Sequence, residues 1–140
     1  MDNEGLITCD CDVLVPCALE NQITAFNAES VKAKLIVEGA NGPTTADADE
    51  ILNKRGIIAV PDILVNAGGV VVSYFEWVQN LQNFGWDEDQ VNDNLRKILV
   101  KSYGDVRDIA AESNVSFRIA AYMLALKRLS AATRIRGIYP

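Results

Sequence analysis

At 140 residues, 49% hydrophobic and 23% charged, the chain has the length and composition of one folded domain with a real core. A net charge of −6 with no basic stripe argues against nucleic acid, because phosphates need clustered Lys and Arg. No apolar span reaches the ~18 residues of a membrane helix. The longest, 57–72, is broken by Pro61, Asp62, Asn66 and Gly68-Gly69. The acidic start Met1-Asp2-Asn3-Glu4 lacks the basic and apolar regions of a signal peptide, so no membrane partner and a cytoplasmic location are expected.

Near the start lie Cys9, Cys11 and Cys17. An odd number of cysteines argues against a disulfide framework, and C-x-C-x5-C in a chain without histidine is a poor zinc pattern. Reduced, half-buried thiols are expected, and no metal.

In chain order, Cys11 to Pro16 (CDVLVP) reads as a strand ended by proline, and Leu19 to Ala28 as a helix. Lys34 to Glu38 (KLIVE) is a second strand, closed by Gly39. Thr45 to Arg55 is a helix, with Thr44-x-x-Asp47 as its capping box and Gly56 as its stop. Ile57 to Val60 (IIAV) is a third strand, closed by Pro61. These apolar runs are continuous rather than alternating, as in strands covered on both faces. Strand, helix, strand, helix, strand implies right-handed crossovers and a parallel sheet.

The pattern then becomes helical. Residues 66–84 form one long stretch, interrupted by Gly85-Trp86. Asp87 caps the next helix with Gln90 in the capping-box position, and Val91, Leu95, Ile98, Leu99, Val106 and Ile109 fall near helical spacing. Ser113-Asn114 breaks it, and Ser116 caps a last helix carrying Ile119, Tyr122, Met123, Leu126 and Leu129. Both stripes are expected to cover a core. Strands and crossover helices thus occupy 11–65, and helices 66–136.

Ligands of open parallel sheets bind beyond the carboxyl ends of the strands. Three loops qualify: 16–21, 38–45, and 61–69. Two of them set an asparagine beside glycine, which suits a ligand amide because Asn donates and accepts while glycine admits close backbone approach. Asn41-Gly42 taken alone reads more readily as a tight turn with Pro43 opening a helix, and Gly68-Gly69 as readily as close packing of a helix start. If a helix begins near Asn66, then Asn66, Val70, Ser73 and Trp77 share one face that could line a pocket. Ser73 could instead bond back to a preceding carbonyl.

The stretches Glu38 to Thr45 (EGANGPTT) and Asn66 to Trp77 (NAGGVVVSYFEW) resemble glutamate dehydrogenase, of the Glu/Leu/Phe/Val amino-acid dehydrogenase family. So do Pro16-Cys17-Ala18 with Glu20-Asn21-Gln22-Ile23, and the ending Arg118-Ile119-Ala120-Ala121-Tyr122. The resemblance runs in order from about Cys11 onward. It implies an α/β fold: a partial Rossmann-like NAD(P)-binding domain, the second half of a doubly wound, mostly parallel sheet, followed by C-terminal helices. It implies reversible NAD(P)-dependent deamination of L-glutamate to 2-oxoglutarate and ammonia. Asn41 and Asn66 would meet the nicotinamide carboxamide or ribose, with Ala18 and Ala40 beside them. Val70 and Ser73 would meet the substrate, the Ser73 hydroxyl bonding its γ-carboxylate.

The same resemblance places the catalytic lysine, its aspartate and the substrate-carboxylate lysines in an N-terminal domain outside these residues. No G-x-G-x-x-G occurs, nor the residue that reads the adenosine 2′ position, so the choice between NAD and NADP stays open. Lys32, Lys34, Lys54, Lys97, Lys101 and Lys127 receive no chemical role. The parent would be a homohexamer. The fragment, inactive alone, would expose a strand edge at 12–16 and apolar helix surface, and so form a dimer or other self-association. A stand-alone nucleotide-binding or regulatory module, and a structural domain with purely conformational Asn-Gly turns, are the competing readings.

Overall fold

The computed structural model describes residues 2–137. Three short strands, β1 (Val13–Leu14), β2 (Leu35–Val37) and β3 (Ile58–Val60), form a parallel sheet in the order β1-β2-β3. Val13 pairs with Leu35, and Leu35, Ile36 and Val37 pair with Ile58, Ala59 and Val60. Each strand lies within an apolar run read from the sequence, β1 and β2 in the middle of theirs and β3 at the end of its run. Only two or three residues of each run are in the ladder.

One face of the sheet packs against helix α2 (Ala46–Lys54): Ile36 and Ala59 join Ile23, Val31, Ala48 and Leu52 in the main core. A short helix α1 (Asn3–Ile7), which the sequence reading did not expect, adds Ile7 to it. On the opposite face a thinner core gathers Val60, Leu64, Val106, Ala120 and Ala121. Cover on both faces therefore holds for the middle of the sheet and fails at its outer strands, where Val13 is 49% and Ile58 51% exposed.

The expected helix at Leu19 to Ala28 does not form. Asn21 adopts a left-handed φ of 53°, which interrupts any helix there, and a parallel bridge pairs Ile23 with Thr44. Ile23 N–H donates to the Pro43 carbonyl at 2.9 Å and Thr45 N–H to the Ile23 carbonyl at 2.9 Å. With its backbone groups satisfied across the chain and Ile23 fully buried, the segment gains more from the tertiary partner than from local helix. Only a single 3₁₀ turn, Ala28–Ser30, remains before β2.

The same bridge shifts the α2 cap by one residue. Thr44 is buried in the bridge, so Thr45 caps the helix, its hydroxyl oxygen accepting from the Ala48 N–H at 3.4 Å. Gly56 ends α2 as expected, in a left-handed φ of 75° that only glycine takes without strain.

Four helices follow: α3 (Asp62–Val65), α4 (Ala67–Gln82), α5 (Glu88–Ser113) and α6 (Phe117–Arg136). Asp87 caps α5 by accepting from Gln90 N–H at 2.7 Å, and Ser116 caps α6 by accepting from Ile119 N–H at 3.3 Å. Asn83 and Asn114, both left-handed, close α4 and α5. The α6 stripe departs from expectation. Its buried residues are Ala120 and Ala121, whereas Ile119, Tyr122, Met123, Leu126 and Leu129 face outward. Small residues let α6 approach its neighbours closely, so the bulky stripe lies on the other side, uncovered. Among the described residues no helix is long and apolar enough to cross a membrane.

Candidate functional site

The three loops past the strand ends enclose an open cleft of about 1040 Å³, lined by residues 18–22, 39–41, Asn66, Gly69 and Val70. Asn41 and Asn66 meet in it: Asn66 Nδ2 donates to Asn41 Oδ1 at 2.5 Å. Among the described residues, the other two amide functions, Asn66 Oδ1 and Asn41 Nδ2, have no protein partner. The pair therefore offers one acceptor and one donor toward the cleft. Of the residues singled out from sequence, Ala18, Ala40, Asn41, Asn66 and Val70 line this space together.

Hydrogen bonds donated by backbone N–H groups tie the loops to one another. Gly39 N–H and Ala40 N–H both donate to the Pro16 carbonyl, at 3.0 and 2.9 Å, joining the first loop to the second. Asn21 N–H donates to the Gly42 carbonyl at 2.8 Å. Gly42 N–H donates to Asp62 Oδ2 at 2.8 Å, joining the second loop to the third. Gly39 faces Cys17 so closely that a Cβ there would lie 2.6 Å from the cysteine sulfur. Gly42 has a left-handed φ of 56°, so a conformational reason accounts for this glycine. Gly68 packs toward Leu95 and Leu99, where a Cβ would make ordinary contact, while Gly69 opens on the cleft with nothing near.

Ser73 lies apart from this group. It is exposed, lies one turn beyond Val70 on α4, is absent from the cleft lining, and donates its hydroxyl to the Val70 carbonyl at 2.9 Å. The face of α4 that carries it is open rather than buried, with Val70 74% and Trp77 57% exposed. The side of α4 that packs inward is the one with Phe75, whose ring meets Trp86 at a tilt of 54° with centroids 5.4 Å apart.

Sequence comparison places this geometry among known proteins. The profile of the Glutamate/Leucine/Phenylalanine/Valine dehydrogenase family matches residues 1–137. The chain belongs to this family. It is 59% identical over 138 residues to a glutamate dehydrogenase of Thermotoga maritima, covering 99% of this chain and 33% of that protein. It is 53% identical to the catabolic NAD-specific glutamate dehydrogenase of Bacillus subtilis, covering 96% of this chain and 32% of that one. The fold superposes on the hetero-hexameric glutamate dehydrogenase of Thermus thermophilus with a TM-score of 0.94 at 34% identity, covering 100% of this chain and 34% of that chain. The chain thus spans about a third of the length of the curated relatives it matches.

This dehydrogenase-family chain also carries a charged cluster behind the cleft that sequence reasoning missed. Arg118, at the start of α6, has a side chain only 15% exposed. Its Nη2 donates to Glu38 Oε1 at 2.6 Å, its Nε lies 3.1 Å from Asp49 Oδ1, and its Nη1 lies 3.8 Å from Asp62 Oδ1. Glu38, fully buried at the end of β2, also accepts from Asp62 N–H at 2.9 Å. Burial pulls the guanidinium pKa down, but the hydrogen bond it donates to Glu38 and the charges of Asp49 and Glu38 outweigh it and raise it above the ordinary arginine value. The one signal in the sequence was a carboxylate closing an apolar strand, since a buried Glu requires a cation.

Proposed function

We propose that the cleft receives the nicotinamide end of NAD or NADP, and that the chain is the C-terminal part of the cofactor-binding domain of a glutamate dehydrogenase. The observation that carries this reading is the Asn41–Asn66 contact across the ends of two neighbouring parallel strands. Its remaining acceptor and donor complement the donor and acceptor of a carboxamide. Among the described residues neither Lys nor Arg lines the cleft, which suits a nicotinamide ring that is cationic when oxidised and neutral when reduced, and leaves the pyrophosphate to residues elsewhere. The B. subtilis relative is named NAD-specific, which favours NAD of the two.

On this reading the described sheet is the second half of a doubly wound, Rossmann-like sheet, with 11–65 supplying its strands and 66–136 the trailing helices. Bound there, the nicotinamide would supply the redox chemistry, hydride exchange with the substrate carbon. The chain's own residues hold and orient. Asn41 and Asn66 fix the carboxamide, Ala18 and Ala40 leave room for the ring, and Val70 packs on the substrate side chain. The exposed Ser73 hydroxyl, held only by a local carbonyl, turns to bond the γ-carboxylate of L-glutamate. Conversion to 2-oxoglutarate and ammonia then depends on the lysines and aspartate of an N-terminal domain, and the whole enzyme is a cytoplasmic homohexamer. By itself the chain is inactive.

Titration with NADH, followed by its fluorescence, tests the cofactor reading. The chain should bind, and Asn41→Ala or Asn66→Ala should weaken binding by about 0.5–1.5 kcal/mol, one neutral hydrogen bond. Coexpression with the N-terminal two-thirds of a relative should restore glutamate oxidation. Binding without restored activity in a well-folded complex would favour a stand-alone nucleotide-binding module.

A further inference from the structure

We infer that Arg118 is a positioning residue for the cleft: from the start of α6 it clamps Glu38 and Asp62, and through them sets the Asn41 loop against the Asn66 loop. The inference deepens the nicotinamide reading and rests on it for the ligand alone.

The connection can be followed atom by atom. The Arg118 fork meets Glu38 Oε1 at 2.6 Å and reaches Asp62 Oδ1 at 3.8 Å. Glu38 Oε2 takes the Asp62 N–H at 2.9 Å, which fixes the first residue of α3 against the end of β2. The second Asp62 oxygen, Oδ2, takes the Gly42 N–H at 2.8 Å. Gly42 follows Asn41, and Asn66 is the C-cap that follows α3, so the two bonds to Asp62 set the separation of the two amides. Asp49 on α2 receives Nε at 3.1 Å and completes the fork from a third element.

Charge gives the arrangement its direction. Glu38 and Asp62 stand at the roots of the two loops and Asp49 on α2, three carboxylates with Arg118 as the cation among them. Without its guanidinium they would repel, and the Asp62 carboxylate would turn to solvent and release Gly42. A lysine keeps the charge but presents one compact ammonium in place of a planar fork, so it cannot hold three carboxylates in a fixed relation. The sequence separation of 80 residues between Glu38 and Arg118 also means that the clamp forms only when α6 is docked.

Amide hydrogen exchange on the full chain tests this without any ligand. Arg118→Lys, and independently Asp62→Asn, should speed exchange about tenfold at the Gly42 amide and across 39–45 and 61–66, with less than about twofold change in the middle of α5. NADH affinity should fall in parallel, because apparent affinity scales with the fraction of molecules whose loops are in place. If the unaltered chain binds no NADH and the loops still loosen selectively, the positioning role stands and the nicotinamide reading falls. Uniform acceleration over the whole chain, or a Gly42 amide as protected as before in both variants, would overturn the positioning role.

Discussion

Replacing Arg118 by methionine keeps much of the side-chain volume and removes the cation. Glu38 is fully buried and would retain only the Asp62 N–H as a partner. Removing one member of a buried pair in this way costs about 3–5 kcal/mol, because the charge left behind is neither solvated nor compensated. For a chain of this size that corresponds to a fall in Tm of roughly 10–20 °C. Urea unfolding at pH 7, followed by circular dichroism, measures it directly as a lower midpoint at unchanged slope. Pairing Arg118→Met with Glu38→Gln should recover part of the loss, since the stranded charge disappears together with its partner. A loss for Arg118→Met below about 1 kcal/mol, the ordinary worth of an exposed ion pair, would refute the reasoning.

Other expectations concern separate parts of the molecule. In the assembled enzyme, Ser73→Ala should weaken L-glutamate by about 1.5–3 kcal/mol relative to a substrate without the γ-carboxylate, a charge-assisted hydrogen bond; steady-state kinetics on both substrates would expose an equal effect. Asp105 joins α5 to α6, accepting from Lys101 Nζ at 2.8 Å and Arg128 Nη2 at 2.8 Å. The hydrogen bond from Lys101, opposed by desolvation and aided by both cations, lowers its pKa. A lowered native pKa stabilises above the unfolded value of about 3.9 and ceases to do so as pH falls through the native one. Asp105→Asn should therefore lower Tm at pH 7, and the difference should vanish in strong acid; a gap that persists there would point to another cause. Sedimentation of the chain alone should show self-association through the outer edge of β1 or the apolar side of α6, and a clean monomer would count against it.

The features legible in the sequence were those fixed by local chemistry. The apolar runs gave the strands, and the caps Asp87 and Ser116 with the stop at Gly56 gave helix ends, because each acts through neighbours a few residues away. The convergence of the three loops followed from one topological rule about strand ends, while the choice of Ala18, Ala40, Asn41 and Asn66 within them came from the resemblance. What was illegible depended on distant partners. Ile23 is extended because Thr44 lies beside it, and residues 19–28 alone carry no sign of that. The outward turn of the α6 stripe depends on which side its neighbours occupy, and periodicity identifies a stripe without saying what it meets. Arg118 appeared only as part of a resemblance, since its carboxylates come from three other elements.

With a ladder of only five residue pairs, the sheet is too small to act as the rigid frame that connecting segments usually hang from. Stiffness instead resides in the connections: main-chain bonds to the Pro16, Gly42 and Pro43 carbonyls, with the Gly42 N–H to the Asp62 carboxylate, join all three sheet tips. Lengthening any of these connections by one residue would displace a donor or acceptor from its mate, so engineered insertions belong at the exposed bend between α4 and α5, around Phe84 and Gly85, and nowhere near the strand tips.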